Sequence, residues 1–237
     1  MSINIKDKRD ILWRAHSQGL HDGFINFWRG MFEDVLDPLS PNTKIIEFGS
    51  TSSRFLQFAH LHFAFQQAVG ILLDVDGNQD TSTWVKPANA QVDFLREFEL
   101  PTIDQHYDIA FSQEIFSLLS NLEQHAQIVW NTLGPTGVYY ASFGWHADNP
   151  STGLQQQLRT TRNKPFYSHD LDKVAAVFHS VGFEVGFKRL TLPYYMIYEP
   201  NMVVKRFGSV SHMISGLQDH KILFSFRKWE SANGQHC

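Results

Sequence analysis

The chain of 237 residues has one cysteine, and it is the last residue, Cys237, so no intramolecular disulfide can form. A disulfide-stapled scaffold is excluded, and the usage is consistent with a reducing compartment. No apolar run approaches the roughly 20 residues of a membrane-spanning helix. Residues 1–10 lack the apolar stretch that a signal peptide requires. A cytoplasmic protein with no membrane partner is therefore expected. Basic charge is not in excess either, because 20 Lys and Arg against 24 Asp and Glu leave a net charge of −4. Such a balance gives phosphate backbones no general attraction, so nucleic acid is not expected as the main partner. The phosphate-binding G-x-x-x-x-G-K-[ST] loop is absent, which removes nucleotide hydrolysis of that kind.

What the chain does contain is a core. Hydrophobic residues make up 43% and charged residues 19%, with 20 Phe and 6 Trp, the balance of an ordinary globular protein rich in rings. Residues 1–42 read as a helical cap, in which Phe24, Phe27, Trp28, Met31, Phe32 and Val35 recur at helical spacing before Pro38 and Pro41. Lys44 to Gly49 reads as a strand and Ser50 to Ser53 as a turn. A helix follows to about Gln67, with apolar residues on nearly every face, which predicts packing on several sides. Ala68 to Asp74, Tyr107 to Ser112 and Val138 to Phe143 are continuous apolar runs, the form taken by strands of a parallel sheet covered on both faces. Ser120-x-x-Glu123 has the form of a capping box, Ser168 can cap a second helix, and Gly182 stands where that helix should stop. Phe183 to Leu190 and Ile222 to Trp229 alternate as the last two strands, a hairpin interrupted by a late insertion, 191–220. The reading is a doubly wound α/β domain over 43–237 whose ligand sits beyond the carboxyl ends of the strands, at the turn from Gly49 to Ser53. That turn carries one glycine, so it departs from the G-x-G-x-x-G of dinucleotide enzymes and disfavours a nicotinamide.

Five ordered segments resemble the class I S-adenosylmethionine-dependent methyltransferases. Ile45-Ile46-Glu47-Phe48-Gly49-Ser50-Thr51-Ser52-Ser53 is similar to the family's first motif, and Gly70-Ile71-Leu72-Leu73-Asp74 to its second strand with the terminal ribose-binding acid. Tyr107-Asp108-Ile109-Ala110-Phe111-Ser112 resembles the fourth-strand segment, Leu133-Gly134-Pro135-Thr136-Gly137 the approach to the fifth, and Ser180-Val181-Gly182-Phe183 the approach to the sixth. The resemblance covers about residues 44–190 and implies a mostly parallel, seven-stranded, Rossmann-like sheet. It implies S-adenosylmethionine as cofactor and S-adenosylhomocysteine as product. By position it assigns Glu47, Gly49, Ser50, Thr51, Ser53, Asp74, Val75, Glu97, Phe98, Ser112 and Gln113 to the cofactor, with Asp76 as an alternative ribose acid and Asp93 as an alternative to Glu97 at the adenine. Thr51 and Ser53 stand where the family prefers glycine, so a strained turn is expected, at about 1–3 kcal/mol per residue.

The implied reaction is methyl transfer to a small-molecule O or N acceptor. The alternative is a catalytically inactive binding or regulatory protein of the same fold. Glu114 and His146, just past the fourth- and fifth-strand segments, are the candidate catalytic residues. Trp13, His16 and Trp28 in the cap, and Tyr194 and Tyr195 in the insertion, are candidate substrate residues; packing on the sheet is the competing reading for Trp28. The run at 193–198 serves equally as a contact between copies in a homodimer. His60 and His62, two apart on a helix, diverge, and no metal site is expected.

Overall fold

The computed structural model describes residues 23–35, 40–73, 81–82, 84–87, 89–96, 99, 106–190, 200 and 207–228. The first described element is helix α1 (Gly23–Glu33), followed by β1 (Lys44–Phe48), α2 (Arg54–Phe63), β2 (Gln67–Leu72), β3 (Gln91–Arg96) and β4 (Tyr107–Gln113). Then come α3 (Leu122–Thr132), β5 (Leu133–Phe143), α4 (Thr152–Thr160), α5 (Leu171–Val181), β6 (Phe183–Arg189), α6 (Val210–Ile214) and β7 (Ile222–Lys228). The strands form one seven-stranded sheet in the order β3-β2-β1-β4-β5-β7-β6. The five strands from β3 to β5 are parallel, whereas β7 runs antiparallel to both β5 and β6. Strand order reverses between β1 and β4, which opens the crevice where α/β sheets take their ligands.

Each face of the sheet is sealed by its own core, as the continuous apolar strands require. On one face α3 and α5 cover Ile46, Phe48, Tyr139 and Phe226, with Phe116 and Phe178 filling the layer between. Phe178 stacks on Phe226 with ring centroids 3.9 Å apart. On the other face α1 and α2 bring Trp28, Met31, Phe32, Phe55 and Leu56 over Ile45, Phe111 and Tyr140. Helix α1, from the segment read as the cap, thus packs into this core. Three buried polar groups lie in the first core, where the Ser112 and Tyr139 hydroxyls are 2.5 Å apart and His125 Nε2 is 3.2 Å from Tyr139.

Local chemistry corrects several boundaries. Asn121, not Ser120, caps α3, its side chain accepting from the Gln124 amide at 2.9 Å. Asp170, not Ser168, caps α5 through the Lys173 amide at 2.6 Å, and Gly182 closes that helix in the left-handed region at φ +118°. Helix α2 ends at Phe63 because Ala64 turns left-handed, and Leu61 is 81% exposed, so this helix lies on one face of the sheet and is not enclosed. Gly134 and Pro135 do not separate helix from strand, since β5 begins at Leu133 and contains both. Strand β3, helix α4, the short helix α6 and a π-helical turn at Ser215–Asp219 add elements for which the sequence reading had no counterpart.

Candidate ligand site at the carboxyl ends of the strands

Beyond Phe48 the chain turns sharply into α2. Gly49 adopts φ +82°, and a Cβ there would overlap Cγ2 of Ile115, so the position admits only glycine without strain. The amides of Gly49 and Ser50 both donate to the Ile71 carbonyl at 2.9 Å, which ties the turn to the end of β2. Those two donors are therefore spent inside the protein. The next three amides, of Thr51, Ser52 and Ser53, find no acceptor among the described residues and lead into the N-terminus of α2, an arrangement that attracts an anionic group. Neither Thr51 nor Ser53 has a positive φ, and Ser53 sits at φ −68° and ψ −8°. The strain expected at these two substitutions for glycine does not arise.

Glu47 is the buried acid beneath this turn. Its side chain is 4% exposed and accepts a hydrogen bond from the Ser50 hydroxyl. Burial dominates over that bond and pushes its carboxyl up to about 8, so in the free protein it is protonated at neutral pH. Gly70, opposite Glu47 in β2, leaves room for the ring of Phe94; a Cβ there would come within 2.6 Å of both Phe94 Cδ1 and Ser50 Oγ. Phe94 meets Trp84 edge-on at 4.7 Å. This ring pair was missed in the sequence, although the alternation in Gln91 to Arg96 is the signal that could have revealed β3.

The remaining expected site residues fall into distinct groups. The Ser112 hydroxyl turns inward to Tyr139, away from the crevice, because Ser112 shares the core face of β4 with Ala110. Gln113 faces the opposite layer, where its side-chain oxygen accepts from the Trp28 indole. Trp28 is 6% exposed between Phe55 and Phe58, which makes it a packing residue of α1. Trp13, His16, Asp74, Val75, Asp76, Glu97, Phe98, Tyr194 and Tyr195 lie outside the described residues. Among the described residues no three His, Cys, Asp or Glu side chains converge to hold a metal, and no helix is long and apolar enough to cross a membrane.

A second polar group occupies the ends of β4 and β5. Glu114 adopts φ +56°, unusual for a side chain with a Cβ, and both its carboxylate oxygens are engaged. Oε1 pairs with the Lys221 ammonium and Oε2 accepts the Gly144 amide at 2.9 Å, so three strand ends are clasped together. Gly144 makes this possible, as a Cβ there would lie 2.9 Å from the Lys221 stem. Lys221→Met should therefore cost about 2 kcal/mol, less than for a fully buried pair because Glu114 is 21% exposed. Urea unfolding checks this, and an unchanged midpoint would show that the clasp contributes nothing. Beside it, buried His146 directs Nε2 at the His220 carbonyl, 2.9 Å away, an atom that can only accept. Nε2 therefore carries the ring proton, and Nδ1 is a buried lone-pair site 3.5 Å from Asp148, with no hydrogen-bond partner among the described residues. Burial lowers the pKa of this imidazole and keeps it neutral. The π-helical turn roofs the same end, its Gly216 lying so close to Trp145 that a Cβ would be 3.1 Å from the indole.

No family model matches the chain, and no curated protein matches its sequence. Solved structures do match in fold. A chain of the complex between the Haloferax volcanii Trm112 methyltransferase activator and a methyltransferase superposes with a TM-score of 0.72 at 13% identity, over 90% of this chain and 93% of that one. Haemonchus contortus phosphoethanolamine N-methyltransferase 2, in complex with S-adenosyl-L-methionine, gives 0.61 at 12% identity, over 86% of this chain and 53% of that one. Geranyl diphosphate C-methyltransferase from Streptomyces coelicolor gives 0.58 at 12%, over 84% and 75%. The strand order, the reversed β7 and the glycine turn after β1 agree with these likenesses: the chain has the seven-stranded, Rossmann-like fold of the class I S-adenosylmethionine-dependent methyltransferases.

Proposed function

We propose that the protein transfers methyl from S-adenosylmethionine to an O or N atom of a small-molecule acceptor. The observation that carries this reading is the turn after β1, where three unspent amides of Thr51 to Ser53 stand beside a buried acid at the reversal of strand order. An amino-acid tail fits that pair of features, its carboxylate at the amides and its ammonium toward Glu47. When bound, S-adenosylmethionine would supply an electrophilic sulfonium methyl, whose carbon–sulfur bond breaks as the acceptor's lone pair bonds to the carbon, with S-adenosylhomocysteine as the leaving group. Asp74 would then hold the ribose hydroxyls, and the acceptor's proton would reach the buried Nδ1 of neutral His146 by way of the exposed Asp148 carboxylate 3.5 Å from it. Glu114 serves as a positioning residue, since both its oxygens are occupied.

Small acceptors are favoured by the names of two structural neighbours, a phosphoethanolamine N-methyltransferase and a geranyl diphosphate C-methyltransferase. The neighbour found with an activator protein leaves room for a protein partner here as well. One observation favours the second reading, a binding protein without turnover: the Glu114 carboxylate at the end of β4 is paired with Lys221 and tied to the Gly144 amide, which makes it a weak base. Calorimetric titration with S-adenosylmethionine and S-adenosylhomocysteine tests the proposal. Micromolar binding is expected, weakened about a hundredfold or more in Asp74→Ala, the loss of a bidentate charged contact. Absence of binding by the folded wild type overturns it. Binding without methylated product across an acceptor library selects the second reading.

A further inference from the structure

Strand β6 is the outer strand of the sheet, with β7 on one side and no strand on the other among the described residues. Glu184, Gly186, Phe187, Lys188 and Arg189 are all exposed, Phe187 to 70%. An open edge of this length is a template for another strand. Its hydrogen-bonding phase is fixed by the pair Leu190 and Lys221, in which the Leu190 amide donates to the Lys221 carbonyl at 2.8 Å. In an antiparallel ladder such pairs recur at every second residue. Glu184, Gly186 and Lys188 therefore bond toward β7, while Val185 and Phe187 turn their main-chain groups outward.

The edge is complementary to itself. Laid antiparallel against a second copy about a twofold axis at Gly186, Val185 falls opposite the other copy's Phe187, and these are the residues whose main-chain groups point outward. Glu184 falls opposite the other copy's Lys188, twice, as non-hydrogen-bonded pairs in which side chains stand closest. Position 186 itself is unexplained within one chain. A Cβ there would meet nothing nearer than the Ser225 carbonyl at 3.7 Å, and its φ is not positive, yet glycine weakens a strand. At the axis the two glycines form a non-hydrogen-bonded pair with Cα atoms about 4.5 Å apart and no side chains between them, which leaves the flanking Glu184 and Lys188 side chains room to meet.

We infer that the β6 edge is the interface of a homodimer, in which a second copy of this chain continues the sheet through antiparallel β6 pairing centred on Gly186. Opposite charges set the register, and the Val185 and Phe187 side chains supply the apolar contact. Lys188 also pairs with Asp34 of its own α1 at 2.5 Å, which holds its stem at the edge. An edge-only interface is small, so association rises with concentration.

Sedimentation velocity over a concentration series tests the inference. Wild-type protein is expected to pass from monomer to dimer. Glu184→Lys and Lys188→Glu should each weaken dimerisation by about tenfold or more, because like charges then face each other on both sides of the axis. An equimolar mixture of these two variants should dimerise again, since every opposed pair becomes opposite in sign. Val185→Pro, which deletes an outward amide and leaves the β7 ladder intact, should be monomeric with unchanged circular dichroism. A wild type that stays monomeric at its highest soluble concentration overturns the inference. So does a dimer indifferent to both Glu184→Lys and Val185→Pro.

Discussion

Alanine in place of Gly49 will destabilise the protein by about 3 kcal/mol or more and remove ligand binding in whatever fraction still folds. Two costs combine. A residue with a Cβ held at φ +82° is strained by about 1–3 kcal/mol. The new methyl also overlaps Cγ2 of Ile115, which is 1% exposed and cannot retreat, adding about 1–3 kcal/mol of overpacking. The two contributions separate in a double-mutant cycle. Ile115→Ala alone should cost about 2–5 kcal/mol through the cavity it leaves. In that background the further cost of Gly49→Ala should shrink toward the backbone strain alone. Urea titrations of the four proteins measure each term, and additive costs would show that Ile115 is not what forbids the side chain.

Stability should be highest near about pH 6.5 and fall on either side, with Glu47 responsible for the alkaline fall. Glu47 has a folded pKa of about 8 against an ordinary 4.5, so the folded state holds a proton that the unfolded chain releases between those values. Its contribution is complete below pH 4.5 and is lost as pH rises to 8, at about 1.4 kcal/mol per pH unit. His125 acts in the opposite direction. Burial lowers its pKa from 6.5 to about 3, so between those values the unfolded chain holds the extra proton and stability rises with pH. The slopes of Glu47 and His125 cancel where they overlap, and His146, whose pKa burial also lowers, leaves a net rise toward about pH 6.5. Glu47→Gln should abolish the decline from pH 6.5 to 8, as read by urea midpoints in a pH series; an identical profile in the variant would refute the assignment. For the proposed ligand the linkage runs the other way. A cationic group beside Glu47 favours its carboxylate, so binding should release a proton and tighten with pH by up to about tenfold per unit until pH 8. Calorimetry in buffers of different ionisation enthalpy counts that proton.

The parallel strands were legible because burial on both faces writes itself as an unbroken run, as in Val69 to Leu73 or Ile109 to Phe111. Gly182 was legible because few residues other than glycine end a helix at φ +118°. Strand β3 was not. It lies at the sheet edge and buries only Val92 fully, so its sequence shows a short alternation in place of an unbroken apolar run. Capping failed by one or two residues, since Ser120 and Asn121 are both competent and which one faces the free amide depends on the path of the preceding chain. At the candidate site, the glycine turn followed from the order of residue types, and Glu47 was placed beside it by the resemblance to the methyltransferase motif. The closure of Glu114 onto Lys221 did not, because those residues are far apart in sequence and meet only through the reversed β7.

That reversed strand also orders the assembly of the molecule in time. The five parallel strands have all been synthesised once Phe143 is made, and they pair with one another without help from later residues. Strand β6 has no such option. Its sheet neighbour β7 begins only at Ile222 and must slot between β5 and β6 after both have been made. Until then the edge of β5 stands open and the rings of β6 and α5 lack their floor, Phe224 and Phe226. Until Ile222 to Lys228 are made, the β5 edge is an unpaired strand edge of the kind on which other chains can pair.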